Sequence, residues 1–274
     1  MSDPRDPLSS TGRPARVIAV ANQKGGVAKT TTTIHLGVAL AELGKRVLLV
    51  DLDPQGHLAE GFGIVSDRLS NEISDVLDGT SRMSEIIIPE VRPNLDLAPS
   101  NIRLSDMELT LVNVRFREYK LQRALEPVLR SYDVILLDCP PSLGLLTVNG
   151  LISANEVLIV MATEYYAMLG VSLLIKTIDA IRAEANPQLT VRGIIHTHFK
   201  STTHHAKEVV ARTKEELGGH MHVFEPPIND STRFAEASAA GQTVFDLAPD
   251  IPGAVAYRKI AKELADAYAA DYSP

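Results

Sequence analysis

Residues 21–31 read Ala21-Asn22-Gln23-Lys24-Gly25-Gly26-Val27-Ala28-Lys29-Thr30-Thr31, the stretch of the 274-residue chain with the most evident chemistry. Adjacent glycines let successive backbone N–H groups turn onto one anion, and the first turn of a following helix adds its unpaired N–H groups and the positive end of its dipole. Lys29 supplies a point charge for the outer phosphates. The Thr30 hydroxyl stands where such loops hold Mg²⁺. Gly25, Gly26, Val27, Ala28, Lys29, Thr30 and Thr31 are therefore the candidate nucleotide-binding residues. A left-handed backbone costs an alanine about 1 kcal/mol, so Ala28 is expected to keep a negative φ.

The elements that must position this loop flank it. An apolar run, Val17–Ala21, precedes it, and Leu36, Leu40 and Leu43 recur after it at helical spacing, with Gly44 as the expected cap. Further apolar runs at Val47–Val50, Val134–Leu137, Val157–Val160 and Gly193–Ile195 are continuous rather than alternating, which suits strands buried on both faces. Helical patterns between most of them give a βαβ rhythm. The expected fold is a single-domain α/β architecture: a doubly wound, mostly parallel sheet with helices on both faces. Ligands of such folds sit at the carboxyl ends of the strands. Two acidic motifs fall there, Asp51-Leu52-Asp53-Pro54 and Asp138-Cys139-Pro140-Pro141. The motif at Asp138 resembles a Walker B strand running into a switch loop over Ser142–Asn149, with Asp138 as the Mg²⁺ ligand beside Thr30.

Other segments carry weaker signals. Ile73–Leu77 and Ile86–Ile88 suggest short helices and Leu95–Leu97 a short strand, while Arg103–Val112 and Arg117–Ser131 suggest two further helices. The last helix, Ala254–Ala270, places Tyr257, Ile260, Ala261, Leu264 and Tyr268 on one apolar stripe. His196, His198, His204 and His205 have a spacing that suggests a metal site on paper, but no acidic or cysteine partner completes it, so they are expected to be solvated loop histidines. From His196 to Lys214, the cations Lys200, Lys207, Arg212 and Lys214 face Glu208 alone, a local charge of +3 within a chain of −7. That stretch is either a solvated helix face or part of a DNA-facing surface.

Composition sets limits. Net charge of −7 argues against a dedicated sequence-specific DNA reader, and 45% apolar content suffices for one sizeable core. Cys139 is the sole cysteine, which excludes an intramolecular disulfide and suits a reducing cytoplasm. It reads as a small buried residue. No apolar stretch approaches the length of a membrane span, and the N-terminus lacks a signal-peptide core. Residues 1–15 are expected to form a disordered tail ahead of one nucleotide-binding domain over residues 16–274.

The phosphate loop departs from the general pattern, since Gln23 and Ala28 occupy its two glycine positions. With Lys24 ahead of Gly25-Gly26, it resembles instead the deviant Walker A loop of the ParA/MinD family of ATPases, in particular partition ATPases of the Soj type. The resemblance spans roughly Arg16 to Tyr268. It implies ATP and Mg²⁺ as cofactors and slow, partner-stimulated hydrolysis to ADP and phosphate. Lys24 would reach across an ATP-bound homodimer to the partner's phosphates, and Lys29 and Asp53 would complete the catalytic set, Asp53 orienting the attacking water and Asp51 supporting the loop or metal shell. It further implies an adenine pocket over Val223–Phe234 that includes Asn229, non-specific DNA binding and a nucleoid-associated location. A ParB-like activator would be the partner. No membrane attachment is expected, because Arg258, Lys259 and Lys262 of the last helix are balanced by Glu263, Asp266 and Asp271, where a membrane-surface helix needs a basic polar face. Lys200, Lys207, Arg212, Lys214 and Arg233 are the candidate DNA contacts. Two departures stand out: Leu169 replaces a glutamate common in partition members, and Asp230 lies close to the place of an arginine. Two rival readings remain open, a positioning or regulatory ATPase of the same family with another cargo, and a metabolic P-loop enzyme.

Overall fold

The computed structural model describes residues 12–164 and 167–270. Seven strands form one sheet: β1 (Arg16–Ala21), β2 (Val47–Asp51), β3 (Ile88–Arg92), β4 (Leu95–Ala98), β5 (Val134–Asp138), β6 (Glu156–Ala162) and β7 (Thr190–Thr197). Their spatial order is β3-β4-β2-β5-β1-β6-β7, and every neighbouring pair is parallel except β3 and β4. The chain thus builds outward from β1 in both directions. The crevice that ligands use in such sheets opens at the carboxyl end of the central strand, where the phosphate loop begins.

The continuous apolar runs divide their side chains between two cores. In β5, Ile135 and Leu137 join one face while Val134 and Leu136 join the other; Leu48 and Val50 oppose Val47 and Leu49 in the same way. Helix α1 (Lys29–Glu42) lies on the second face, covered by the last helix, Pro252–Ala270. The anticipated stripe Tyr257, Ile260, Ala261, Leu264 and Tyr268 is buried throughout. Tyr257 also hydrogen-bonds Thr32 of α1 at 3.0 Å, which ties the two helices behind the loop.

Several expectations are corrected. The two helical segments expected over residues 103–131 are present but shorter and not regular α-helix: Ile102–Asp106 is 3-10 and continues into Met107–Thr110, while Arg117–Tyr119, Lys120–Leu125 and Glu126–Val128 follow one another as 3-10, α and 3-10. The left-handed Phe116 (φ 59°) lies in the gap between them, and Pro127 falls in the closing 3-10 turn. Ile86 ends a short helix and Ile88 begins edge strand β3, whose sequence Ile-Pro-Glu-Val-Arg has no buried alternation to announce it. A proline is compatible with an edge position because one side of the strand needs no ladder donor. Residues 1–11 of the expected tail, and Tyr165 and Tyr166, lie outside the described residues.

Candidate active site

Parallel register brings the acidic motifs together. Asp51 of β2 pairs with Asp138 of β5, and Asp138 pairs with Val20 of β1, so both carboxylates end beside the loop that follows β1. Both are buried. Burial raises the Asp138 carboxyl to about 7, against the hydrogen bonds of Thr30 and Thr33 and the attraction of Lys29. Asp51 is also raised, first by burial and then by the neighbouring Asp138. It accepts the Asp53 amide at 2.9 Å and the Leu58 amide at 3.3 Å, so it holds the turn after β2.

Residues 25–28 turn sharply. φ is positive at Gly26 (70°) and Ala28 (67°), so the expectation of a negative φ at Ala28 is wrong. The alternating hand makes a nest of inward amides, and an alanine adopts it because the surrounding structure over-determines the turn. Lys29 is buried at the start of α1, and its Nζ donates to the Lys24 carbonyl at 3.3 Å. Burial lowers the pKa of its ammonium, while Asp138 and Asp53 pull the other way. The Thr30 hydroxyl donates to Asp138 at 2.6 Å and the Thr33 hydroxyl to its other oxygen at 3.2 Å. This hard oxygen pair fits Mg²⁺, which takes few protein ligands and fills the rest from phosphate and water. Among the described residues no cluster of three or more His, Cys, Asp or Glu side chains could form an all-protein metal cage.

Asp53 lies at the rim, where one oxygen accepts the Gln55 amide at 3.1 Å. Lys24 is half exposed and its Nζ contacts the exposed Glu164 carboxylate after β6. The contact with Lys24 holds Glu164 below the ordinary carboxylate range. On the far side of the loop, Ala28, Thr31, Asn229, Ser231, Phe234 and Tyr257 line a cleft of about 460 Å³. Its size and its mixture of rings and polar groups suit a nucleoside.

The histidines do not behave alike. His196 is buried against Thr213 at 3.1 Å, and burial lowers it to about 4, so the expectation of a solvated residue fails for it. His204 is exposed. The basic candidates are dispersed and mostly paired. Lys200 approaches Asp230 at 3.7 Å, Arg212 bonds Glu216, Lys214 contacts Glu225, and Arg233 pairs with Glu236 at 2.7 Å. Among the described residues Lys207 has no ion-pair partner. Lys207 and Lys214 are seven residues apart on the helix His204–Leu217 and share a face.

Two partners of the loop carried no assignment in the sequence, Asn22, which bridges the Val160 carbonyl (2.6 Å) and the Lys24 amide (2.9 Å), and Thr197 at the end of β7; a third, His198, was expected to be a solvated loop histidine and instead meets the Gly26 carbonyl. Single Asn, Thr or His residues after a strand carry no local signal of the loop they will meet.

The family model of an AAA domain, AAA_31, matches residues 15–191. The sporulation initiation inhibitor protein Soj of Bacillus subtilis is 39% identical over 250 residues, which is 91% of this chain and 98% of that protein. The chain belongs to the ParA/Soj family of P-loop ATPases. An uncharacterized protein of Mycobacterium tuberculosis is 47% identical over 96% of this chain and 82% of its own length. A crystal structure described as cobyrinic acid a,c-diamide synthase from Mycobacterium smegmatis, with a bound ATP analogue and magnesium, is 38% identical and superposes with a TM-score of 0.81, covering 93% of this chain and 96% of that one. The fold of this ParA/Soj-family chain is thus shared along nearly its whole length.

Proposed function

We propose that this ATPase is a nucleotide-driven DNA-partition switch. It takes ATP with Mg²⁺, closes into a homodimer, binds DNA without sequence preference and is released when a ParB-like protein stimulates hydrolysis. Lys29 and the loop amides carry the phosphates. Thr30 and Asp138 are the residues that would hold Mg²⁺, which supplies charge neutralisation on the transferred phosphoryl group. Asn229 and Phe234 border the base. Asp53 orients the attacking water, its own turn braced by Asp51.

The single observation that carries the reading is Lys24. Its ammonium lies at the outer rim rather than in the subunit's own phosphate loop, paired among the described residues only with an exposed carboxylate, where it is free to serve a second subunit. Leu169 and Leu173 lie exposed on the helix Ala167–Glu184, whose Gly170 abuts Asn22 beneath the loop; this apolar edge favours a second copy facing the site. A nucleoid location follows if the dimer binds DNA. The deciding experiment is DNA retention with ATP, ADP and no nucleotide across a salt series, beside sedimentation with a non-hydrolysable analogue. ATP-dependent retention by a dimer is expected; a permanent monomer would overturn the reading.

An alternative reading keeps the switch and changes the cargo. The pairing of Lys200, Arg212, Lys214 and Arg233 with carboxylates favours it, because a paired cation must give up its partner before it can neutralise a phosphate. Dimerisation without DNA retention would support it. A metabolic enzyme would instead turn over without an activator and keep full activity after Lys24→Ala.

A further inference from the structure

Carbonyl groups of the phosphate loop are held from outside by the end of β7. The Thr197 hydroxyl, buried, donates to the Val27 carbonyl at 2.8 Å. One residue on, His198 Nε2 faces the Gly26 carbonyl at 3.1 Å and must carry a proton to donate to it. Its Nδ1 lies 3.3 Å from Asp230, in the loop that borders the nucleoside cleft. His198 takes a left-handed backbone (φ 51°) to reach both, a conformation that a histidine keeps only when its surroundings impose it.

A trans peptide is planar, with C=O and N–H pointing in opposite directions. Holding the Gly26 carbonyl toward β7 therefore points the Val27 N–H away from β7. Holding the Val27 carbonyl does the same for the Ala28 N–H. These are two of the amides of the nest, and the positive φ at Gly26 and Ala28, on either side of Val27, permits the flip that two outside donors then select. A glycine-rich turn has little intrinsic preference between peptide orientations, so the donors decide which is populated before the nucleotide arrives.

We propose that His198 and Thr197 are positioning residues for the phosphate loop. They fix the Gly26 and Val27 peptides with their amides toward the anion, and His198 couples that loop to Asp230 at the edge of the base cleft. Neither residue touches the phosphates. The inference rests on the nucleotide-site reading above and assigns the preorganisation of that site to β7.

The test is binding of fluorescent ADP and ATP analogues, and steady-state hydrolysis, by the full-length protein and its Thr197→Val, His198→Leu and His198→Gln variants. Lys29→Ala serves as the control for the site itself. One lost hydrogen bond corresponds to roughly 3- to 10-fold in affinity. Thr197→Val and His198→Leu should each weaken ADP and ATP by about that factor, equally for both ligands. KM for ATP should rise more than turnover at saturation falls, since the interaction is present in ground and transition states alike. Glutamine retains one N–H donor, so His198→Gln should recover part of the loss. Thr197 is buried and its variant is read only if its melting curve stays cooperative; half-buried His198 keeps the test open otherwise. Wild-type affinity in His198→Leu, with Lys29→Ala binding nothing, would overturn the proposal while sparing the nucleotide site. A wild-type protein that binds no nucleotide would overturn both.

Discussion

At the scale of residues, the site concentrates groups in conformations or charge states they would not choose in water. Ala28 is left-handed where glycine would be free of strain. Ala28→Gly should raise stability by up to about 1 kcal/mol, the steric relief being partly offset by the extra freedom of glycine in the unfolded chain. Chemical denaturation measures it, and a loss of stability would show that the surroundings favour the methyl group. His35 of α1 offers a pH test. Its Nδ1 donates to the Thr31 carbonyl at 2.7 Å and its Nε2 accepts the Val244 amide at 3.1 Å, so both nitrogens are committed to the neutral ring. Burial lowers it from 6.5 to about 4. The unfolded chain therefore binds a proton that the folded chain refuses between those values, and folding free energy is lost as pH falls through that window. The His35 contribution approaches about 3 kcal/mol near pH 4. Compared with His35→Gln by urea unfolding at pH 7 and 4.5, the wild type should lose more on acidification; parallel losses would refute the assignment.

At the scale of elements, strand register does most of the assembly. The pairing of Asp51 with Asp138 makes two buried acids neighbours although 87 residues separate them, and a slip of one residue would turn the pair to opposite faces. The helix that follows each strand carries the other half of each contact: Thr30 and Thr33 of α1 reach Asp138 one turn apart. Lys24 depends on an element boundary as well. Glu164, just past β6, holds it in the single chain, and a lysine that crosses a dimer must leave that carboxylate. An exposed pair contributes at most about 1 kcal/mol and a dimer breaks two of them, so Glu164→Gln should tighten the ATP-bound dimer by no more than roughly 30-fold and leave the monomer's melting temperature nearly unchanged. Sedimentation with a non-hydrolysable analogue reads this; a weaker dimer would mean that Glu164 supports the interface instead of competing with it.

At the scale of the whole molecule, a net charge of −7 requires any DNA-binding surface to be local and shared between copies. Lys207 is the best placed of the cations on its helix, because Lys214 on the same face already contacts Glu225. If the dimer binds DNA, Lys207→Ala removes two phosphate contacts, and the slope of log affinity against log salt should fall by nearly 2. Lys214→Ala should change it less. Equal effects would mean that Glu225 releases Lys214 on binding. None of the described helices is long and apolar enough to cross a membrane.

The local chemistry of the loop, its strand and helix flanks, the two acidic strand ends and the two-faced sheet were all legible in the chain itself, because each depends on spacing over a few residues. Segment 103–131 was legible in part: apolar periodicity gave the two helical stretches, but not their 3-10 turns or their early ends, with Pro127 in the last of them. The hand of Ala28, the burial of His196 and the grip of Thr197 and His198 on the loop were decided only by tertiary packing. The last joins residues some 170 positions apart, and no local propensity of a threonine or histidine says which carbonyl it will meet when β7 docks beside β6.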